Sequence, residues 1–121
     1  MCVVDPLAVK LNVKFFISDL GNEPVRDWLR DQDFNIRKAI GEDIKTVQLG
    51  WPIGMPVVRK LENGLWEVRT KFDHGIARVI FTVVGSDMVL LHSFIKKSEK
   101  TPKSDLETAR DRKSLLLRKP K

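Results

Sequence analysis

The stretch LWEVRTKFDHGIARVIFTVVGSDMVLLHSFI, residues 65–95, decides the fold. Its aliphatic, β-branched and aromatic residues fall in three runs, 65–72, 76–84 and 88–95, separated by the turn clusters Asp73-His74-Gly75 and Gly85-Ser86-Asp87. Short runs of this composition that stop at Gly, Asp and Ser are strand signals, and gaps this small close hairpins. A fourth run, 57–61, ends at Glu62-Asn63-Gly64, so the four strands are expected to form an antiparallel meander. Successive strand side chains point to opposite faces. Along the second strand Trp66, Val68 and Phe72 therefore share one face, while Glu67, Arg69 and Lys71 share the other. In the third, Ala77, Val79, Phe81 and Val83 lie on one face, and Arg78 on the other with Ile80 and Thr82. One face reads as core and the other as charged. A hairpin turning through Asp73 and His74, with Phe72 opposite Gly75, sets Arg69 directly across from Arg78.

Upstream of the meander, residues 13–17 read as a first strand closed by the turn residues 18–22. Asn22 is the expected N-cap of a helix that tolerates Pro24 in its first turn, runs to about residue 30 and turns Val25, Trp28 and Leu29 inward. A second helix, capped by Asp33 or Asn35, carries Ile36, Ile40, Ile44 and Val47 at spacings of three and four and stops at Gly50. The two make a helical hairpin. The segment LGWPIGMP, residues 49–56, holds two prolines and two glycines, so it reads as a loop with Trp51 tucked against the core. Downstream, Ser104 and Glu107 have the spacing of a capping box, and Leu106, Ala109, Lys113 and Leu116 or Leu117 share a face of a last helix. The expected class is α+β: a small antiparallel sheet with an N-terminal helical hairpin and a C-terminal helix.

With 121 residues and 42% hydrophobic content, the chain can bury one core, and one domain spanning residues 1–121 is expected. Residues 118–121 read as a frayed tail, and the sequence leaves open whether residues 1–11 are ordered. No apolar run approaches the roughly 20 residues of a membrane span, and residues 1–9 contain Asp5 and Pro6 rather than a signal-peptide layout. A cytoplasmic location, away from membranes, is expected. Cys2 has no partner for an internal disulfide, and one cysteine with two distant histidines offers no zinc spacing, so neither a metal nor a cofactor is expected. The formal charge is +6, and residues 1–95 carry twelve Lys/Arg against twelve Asp/Glu; the excess lies entirely in the last 26 residues, with ten against four. Such an end attracts nucleic acid or an acidic surface, or serves as a solvated tail.

Two arginines facing each other across a ladder repel by about 0.2–1 kcal/mol, so the pair calls for a shared anion or a carboxylate such as Glu67. Arg69 and Arg78 fit an ordinary solvated sheet surface, or a phosphate cradle, for which the planar, permanently charged guanidinium is suited. Lys96 and Lys97 leave the last strand and Lys100 follows in the loop, where they could close around the same anion. His74, in a tight turn, reads as a surface residue. His92 alternates with Leu90 and Phe94, and a hydrogen-bonded core histidine is the plainer reading beside a catalytic one. Trp28, Trp51 and Trp66 sit in apolar patterns and read as core rather than base-stacking residues.

The runs GLWEVR (64–69), RVIF (78–81) and LLHSFIKKSEKTP (90–102), with Asp105-Leu106-Glu107, Ala109-Arg110 and the upstream PVRDWL (24–29), resemble the phage-derived HigB-like branch of the RelE toxins. The resemblance covers nearly all of the chain after Lys10. It implies a type II toxin held by a cognate helix-turn-helix antitoxin. Such a toxin binds messenger RNA in the ribosomal A site, without contacting DNA directly, and cleaves it by attack of the messenger's own 2′-hydroxyl, without a metal. On that resemblance Arg69, Arg78 and Lys97 would stabilise the phosphorane. Lys96, Lys100, Lys71 and Lys103 would hold flanking phosphates or ribosomal RNA. Several relatives place a tyrosine near the cleavage site; this chain has none, which leaves Glu67, His92 or a lysine of lowered pKa for proton transfer. Two other classes fit the same residues: a non-catalytic RNA- or ribosome-binding module, and a phage structural or assembly protein.

Overall fold

The computed structural model describes residues 10–118. Expectations about order at residues 1–9 and 119–121 lie outside the described residues. The elements are β1 (Asn12–Phe15), α1 (Pro24–Arg30), α2 (Phe34–Gly50), β2 (Val58–Glu62), β3 (Leu65–Phe72), β4 (Gly75–Val84), β5 (Asp87–Lys96) and α3 (Lys103–Arg118). The five strands make one sheet in the order β1-β5-β4-β3-β2. The class is α+β as expected, and the β2–β5 meander is antiparallel. The sheet is nonetheless mixed, because β1 lies parallel to β5, with Val13 opposite Met88 and Phe15 opposite Leu90. The helical hairpin carries the chain from β1 at one edge to β2 at the other, as a connection covering one face does.

Three layers result. On the first face, Ile40, Ile44 and Val47 of α2 and Val25 of α1 meet Val68, Val79, Phe81, Met88 and Leu90. Burial of each such aliphatic or aromatic side chain is worth about 1.5–3 kcal/mol. Leu11 joins this core, and both it and Lys10 donate their backbone N–H to the Gln48 carbonyl at the end of α2, at 3.3 and 2.9 Å. Those two residues are thus part of the packed structure, and Arg118 is the last residue of α3. Trp51 packs inward as expected, edge-on to Trp66 with centroids 5.0 Å apart, while Trp66 stacks on Phe81 at 5.9 Å. On the second face α3 lays Leu106, Ala109, Leu115 and Leu116 against Phe16, Leu65, Ile80, Val89 and Leu91. Ala109 is fully buried there, its small side chain allowing the helix axis to come close to the sheet.

Because both faces are covered, β3 to β5 are buried in long continuous runs instead of alternating positions. The expectation of one core face and one solvated, charged face is therefore corrected. Two caps also differ. Glu23, not Asn22, precedes α1; Asn22 instead closes the preceding turn, its N–H bonding the Ser18 hydroxyl at 3.0 Å. The last helix begins at Lys103, where Leu106 N–H reaches the Pro102 carbonyl at 3.1 Å, so Ser104 lies inside the first turn and makes no capping box. Proline fixes the φ angle that launches the helix and leaves Ser104 two residues past the capping position. Gly64 turns β2 into β3 at φ +81, a left-handed conformation that other residues adopt at a cost, and the Lys113 side chain lies across it. No described helix is long and apolar enough to cross a membrane.

Candidate functional site

The register across β3 and β4 places Arg69 opposite Arg78, and that across β2 and β3 places Arg59 opposite Glu67. The first pairing is the expected one. These side chains share the α3 face, beyond the N-terminal end of the helix, where the loop 97–102 takes over as cover. Glu67 and Arg78 are 0% exposed and Arg69 is 6% exposed, so the arginines are not solvated sheet residues. Arg69 is held between two acids: its Nε lies 3.8 Å from Glu67 Oε1, and its Nη2 forms a short ion pair with Glu99. The loop is pinned twice more. Arg59 Nη1 donates to the Glu99 carbonyl at 2.8 Å, and Thr101 Oγ1 donates to Glu67 Oε2 at 2.9 Å.

Arg78 is placed differently. Its guanidinium lies over the Phe94 ring, Cζ 5.6 Å from the centroid, and none of its three nitrogens has a hydrogen-bond partner among the described residues. Burial pulls its pKa below the ordinary arginine value, with Glu67 acting in the opposite direction. Burial also pushes the Glu67 carboxyl up from the usual carboxylate range, against the Thr101 hydrogen bond and the charges of Arg78, Arg69 and Arg59. Glu99 is displaced the other way: the hydrogen bond from Arg69 and its charge hold this carboxyl below its ordinary value. Three arginines thus face two carboxylates, and the guanidinium without an acceptor is the innermost one. An arrangement of that kind can receive a monoanion.

The predicted lysines surround this cluster rather than enter it. Lys71, Lys96, Lys97, Lys100 and Lys103 are all exposed. Lys71 and Lys97 line an open cleft of about 340 Å³ beside the β3–β4 turn, together with Phe72, Asp73, Gly75, Ile76 and Glu99. Glu99 therefore stands between the cleft and Arg69. Lys96 closes β5 opposite Ile76, and Lys103, in the first turn of α3, lies 4.0 Å from Glu107.

His92 belongs to a different group. A shift in the β4–β5 ladder, between Ile80 and Phe81, sends Leu90 into the α2-side core and both Leu91 and His92 toward α3. The expected alternation of Leu90, His92 and Phe94 on one face is thereby corrected. His92 Nε2 meets Asp105 Oδ1 at 2.6 Å, and Arg112 Nη1 lies 3.4 Å from its Nδ1 while donating to the Leu91 carbonyl at 2.8 Å. With both ring nitrogens engaged, the imidazole is a clamp between β5 and α3. It stacks on Phe94, which separates it from Arg78. His74 is exposed in the turn, as expected. Among the described residues no three His, Cys, Asp or Glu side chains gather into a group that could hold a metal.

Reasoning from sequence missed Arg59, Glu99 and Thr101. Arg59 was within reach, since extending the β2–β3 hairpin register sets it across from Glu67. Glu99 had a weaker signal, as the one acid in the run Lys96 to Lys100; nothing in the sequence pointed to Thr101.

A search of curated proteins finds no match. The family model described as Phage derived protein Gp49-like (DUF891) matches residues 27–114, from within α1 to within α3 and including the whole arginine cluster and its covering loop. That span is well over half of the chain, which therefore belongs to the phage-derived Gp49-like family.

Proposed function

We propose that this chain is a ribosome-dependent messenger RNA endonuclease, the toxin of a type II toxin–antitoxin pair, acting without a metal. The observation that carries the reading is the Glu67, Arg69 and Arg78 cluster, set beside an open cleft with lysines on its rim. The 2′-oxygen of the messenger attacks the adjacent phosphorus, a new 2′-O–P bond forms, and the bond to the 5′-oxygen breaks. Arg78 and Arg69 neutralise the charge that builds on the phosphorane, the kind of stabilisation that gives the largest single share of such rate enhancements. Glu67 takes the 2′-proton, and its raised pKa suits that work better than an ordinary carboxylate. Lys97, on the cleft wall, adds charge and gives a proton to the departing 5′-oxygen. His92 has no part in proton transfer, because Asp105 and Arg112 hold its ring. Lys71, Lys96, Lys100 and Lys103 contact flanking phosphates or ribosomal RNA, and a helix-turn-helix antitoxin neutralises the free protein.

The full burial of Glu67 and Arg78 favours a second reading, a non-catalytic RNA-binding module in which the buried ions only support the basic rim. End chemistry separates the two. Purified protein added to ribosomes translating a defined message should yield fragments with 2′,3′-cyclic phosphate and 5′-hydroxyl ends. Fragments with 5′-phosphates would remove the 2′-hydroxyl mechanism, and bound but intact message would select the second reading.

A further inference from the structure

We propose that the Glu99 carboxylate is an internal substitute for the phosphodiester: it occupies Arg69 and closes the way to Arg78, and an RNA phosphate must displace it to reach the arginine pair. The inference rests on the functional reading above and concerns the regulation of that same site.

Four observations carry it. Glu99 caps Arg69 from the solvent side, its own side chain 70% exposed against 3% for that of Arg69, so it can swing away while the arginine stays in place. Glu99 also forms part of the cleft wall, so an anion entering between Lys71 and Lys97 meets this carboxylate before it meets Arg69. Beneath it, Arg78 is sealed from water, and among the described residues its three nitrogens have no acceptor. A buried guanidinium normally finds its acceptors, and an oxyanion brought against it would supply them. Finally, besides the Arg69–Glu99 pair the loop is fastened by two polar contacts, Arg59 to the Glu99 carbonyl and Thr101 to Glu67, and it contains no apolar anchor between Lys97 and Thr101. Opening it breaks polar contacts that water or RNA can replace.

The same loop movement that removes Glu99 withdraws Thr101 from Glu67 and frees that carboxylate to accept a proton. One displacement thus uncovers both the cations and the base. Because Arg69 keeps Glu99 ionised below the ordinary carboxylate range, the cover is opened by a competing anion and not by mild acid.

The experiment is titration of the whole chain with inorganic phosphate, followed by calorimetry and by the arginine side-chain N–H resonances. Glu99→Gln should bind phosphate at least about tenfold more tightly than wild type, since one carboxylate no longer competes for the same cation, and the Arg78 N–H signals should shift. Asp111→Asn, which removes an exposed negative charge from α3, controls for general electrostatics and should leave affinity unchanged. Equal affinity for wild type and folded Glu99→Gln overturns the proposal. So does an equal gain in Asp111→Asn, or a gain that persists when Arg69→Met is added. The phosphate titration needs no ribosome, so its outcome is separable from nuclease activity: tighter binding without cleavage keeps the cover and removes the enzyme, while cleavage without tighter binding does the reverse.

Discussion

A guanidinium sealed from water without a hydrogen-bond acceptor opposes folding, and among the described residues Arg78 is in that position. Cation–π contact with Phe94 and the charge of Glu67 offset part of this cost. Removing one partner of a buried ion pair costs about 3–5 kcal/mol, but Arg78 has no such partner among the described residues, so an apolar side chain of similar volume relieves the cost of its burial. Arg78→Met is therefore expected to keep or raise the unfolding midpoint in urea while abolishing RNA cleavage; a large loss of stability would show that Arg78 is a structural residue. Glu67 provides a test by pH. Its folded pKa is raised, so the native state binds more protons than the unfolded chain just above 4.5. The sign follows: this carboxyl's contribution is most favourable below 4.5 and declines as pH rises through the folded value. Glu67→Gln, which imitates the protonated form, should remove that decline in thermal unfolding scans, hold its stability at neutral pH, and lose cleavage together with the acidic limb of the rate profile. The facing of Arg69 and Arg78 was legible in the sequence, because one short turn fixes the register. Their burial was not, since it depends on the loop 97–102, beyond the whole of β5, folding back over them.

At the scale of elements, the strands and helices of the meander and hairpin could be read from period and turn chemistry, with ends that differ by a residue or two. Two features could not. The parallel pairing of β1 with β5 depends on which edge of the sheet stays open once the hairpin has packed, and no local pattern in residues 13–17 encodes it. The ladder shift at Ile80/Phe81 leaves no composition signal either, yet it turns Leu91 toward α3 and Leu90 away. That shift makes α3 docking testable. Leu91→Ala should cost about 2–5 kcal/mol, as large-to-small changes in a packed core do. Leu117→Ala, on the exposed side of the same helix, should stay within about 0.5 kcal/mol. Equal effects in urea titrations would mean that α3 does not pack as described. The ion pair of Arg110 with Glu62 fastens α3 to β2, its two bonds 2.9 and 2.6 Å long. It holds the Glu62 carboxyl below its ordinary value, so its support is present above the unfolded pKa and fades as pH falls through the lowered one.

Over the whole molecule, the positive excess is confined to the last 26 residues, and from that segment Lys97 lines the cleft together with Lys71. A surface of that sign draws RNA in and holds it by displacing counterions, so the affinity for single-stranded RNA should fall linearly with salt on logarithmic axes. Lys97→Ala and Lys100→Ala should each reduce that slope by about 0.7, and no binding of RNA even at low salt would favour a protein assembled into a larger particle without contacting nucleic acid. Membership of the Gp49-like family is compatible with either. The most direct test of the central claim is to express wild type and Arg78→Met under tight induction and map the 5′ ends of cellular messenger RNA within minutes. New ends inside translated codons, present for wild type and absent for the folded variant, are the result expected of a ribosome-dependent nuclease whose buried arginine meets the scissile phosphate. Intact messages under the wild-type protein, or the same cleavage pattern from both, would contradict it.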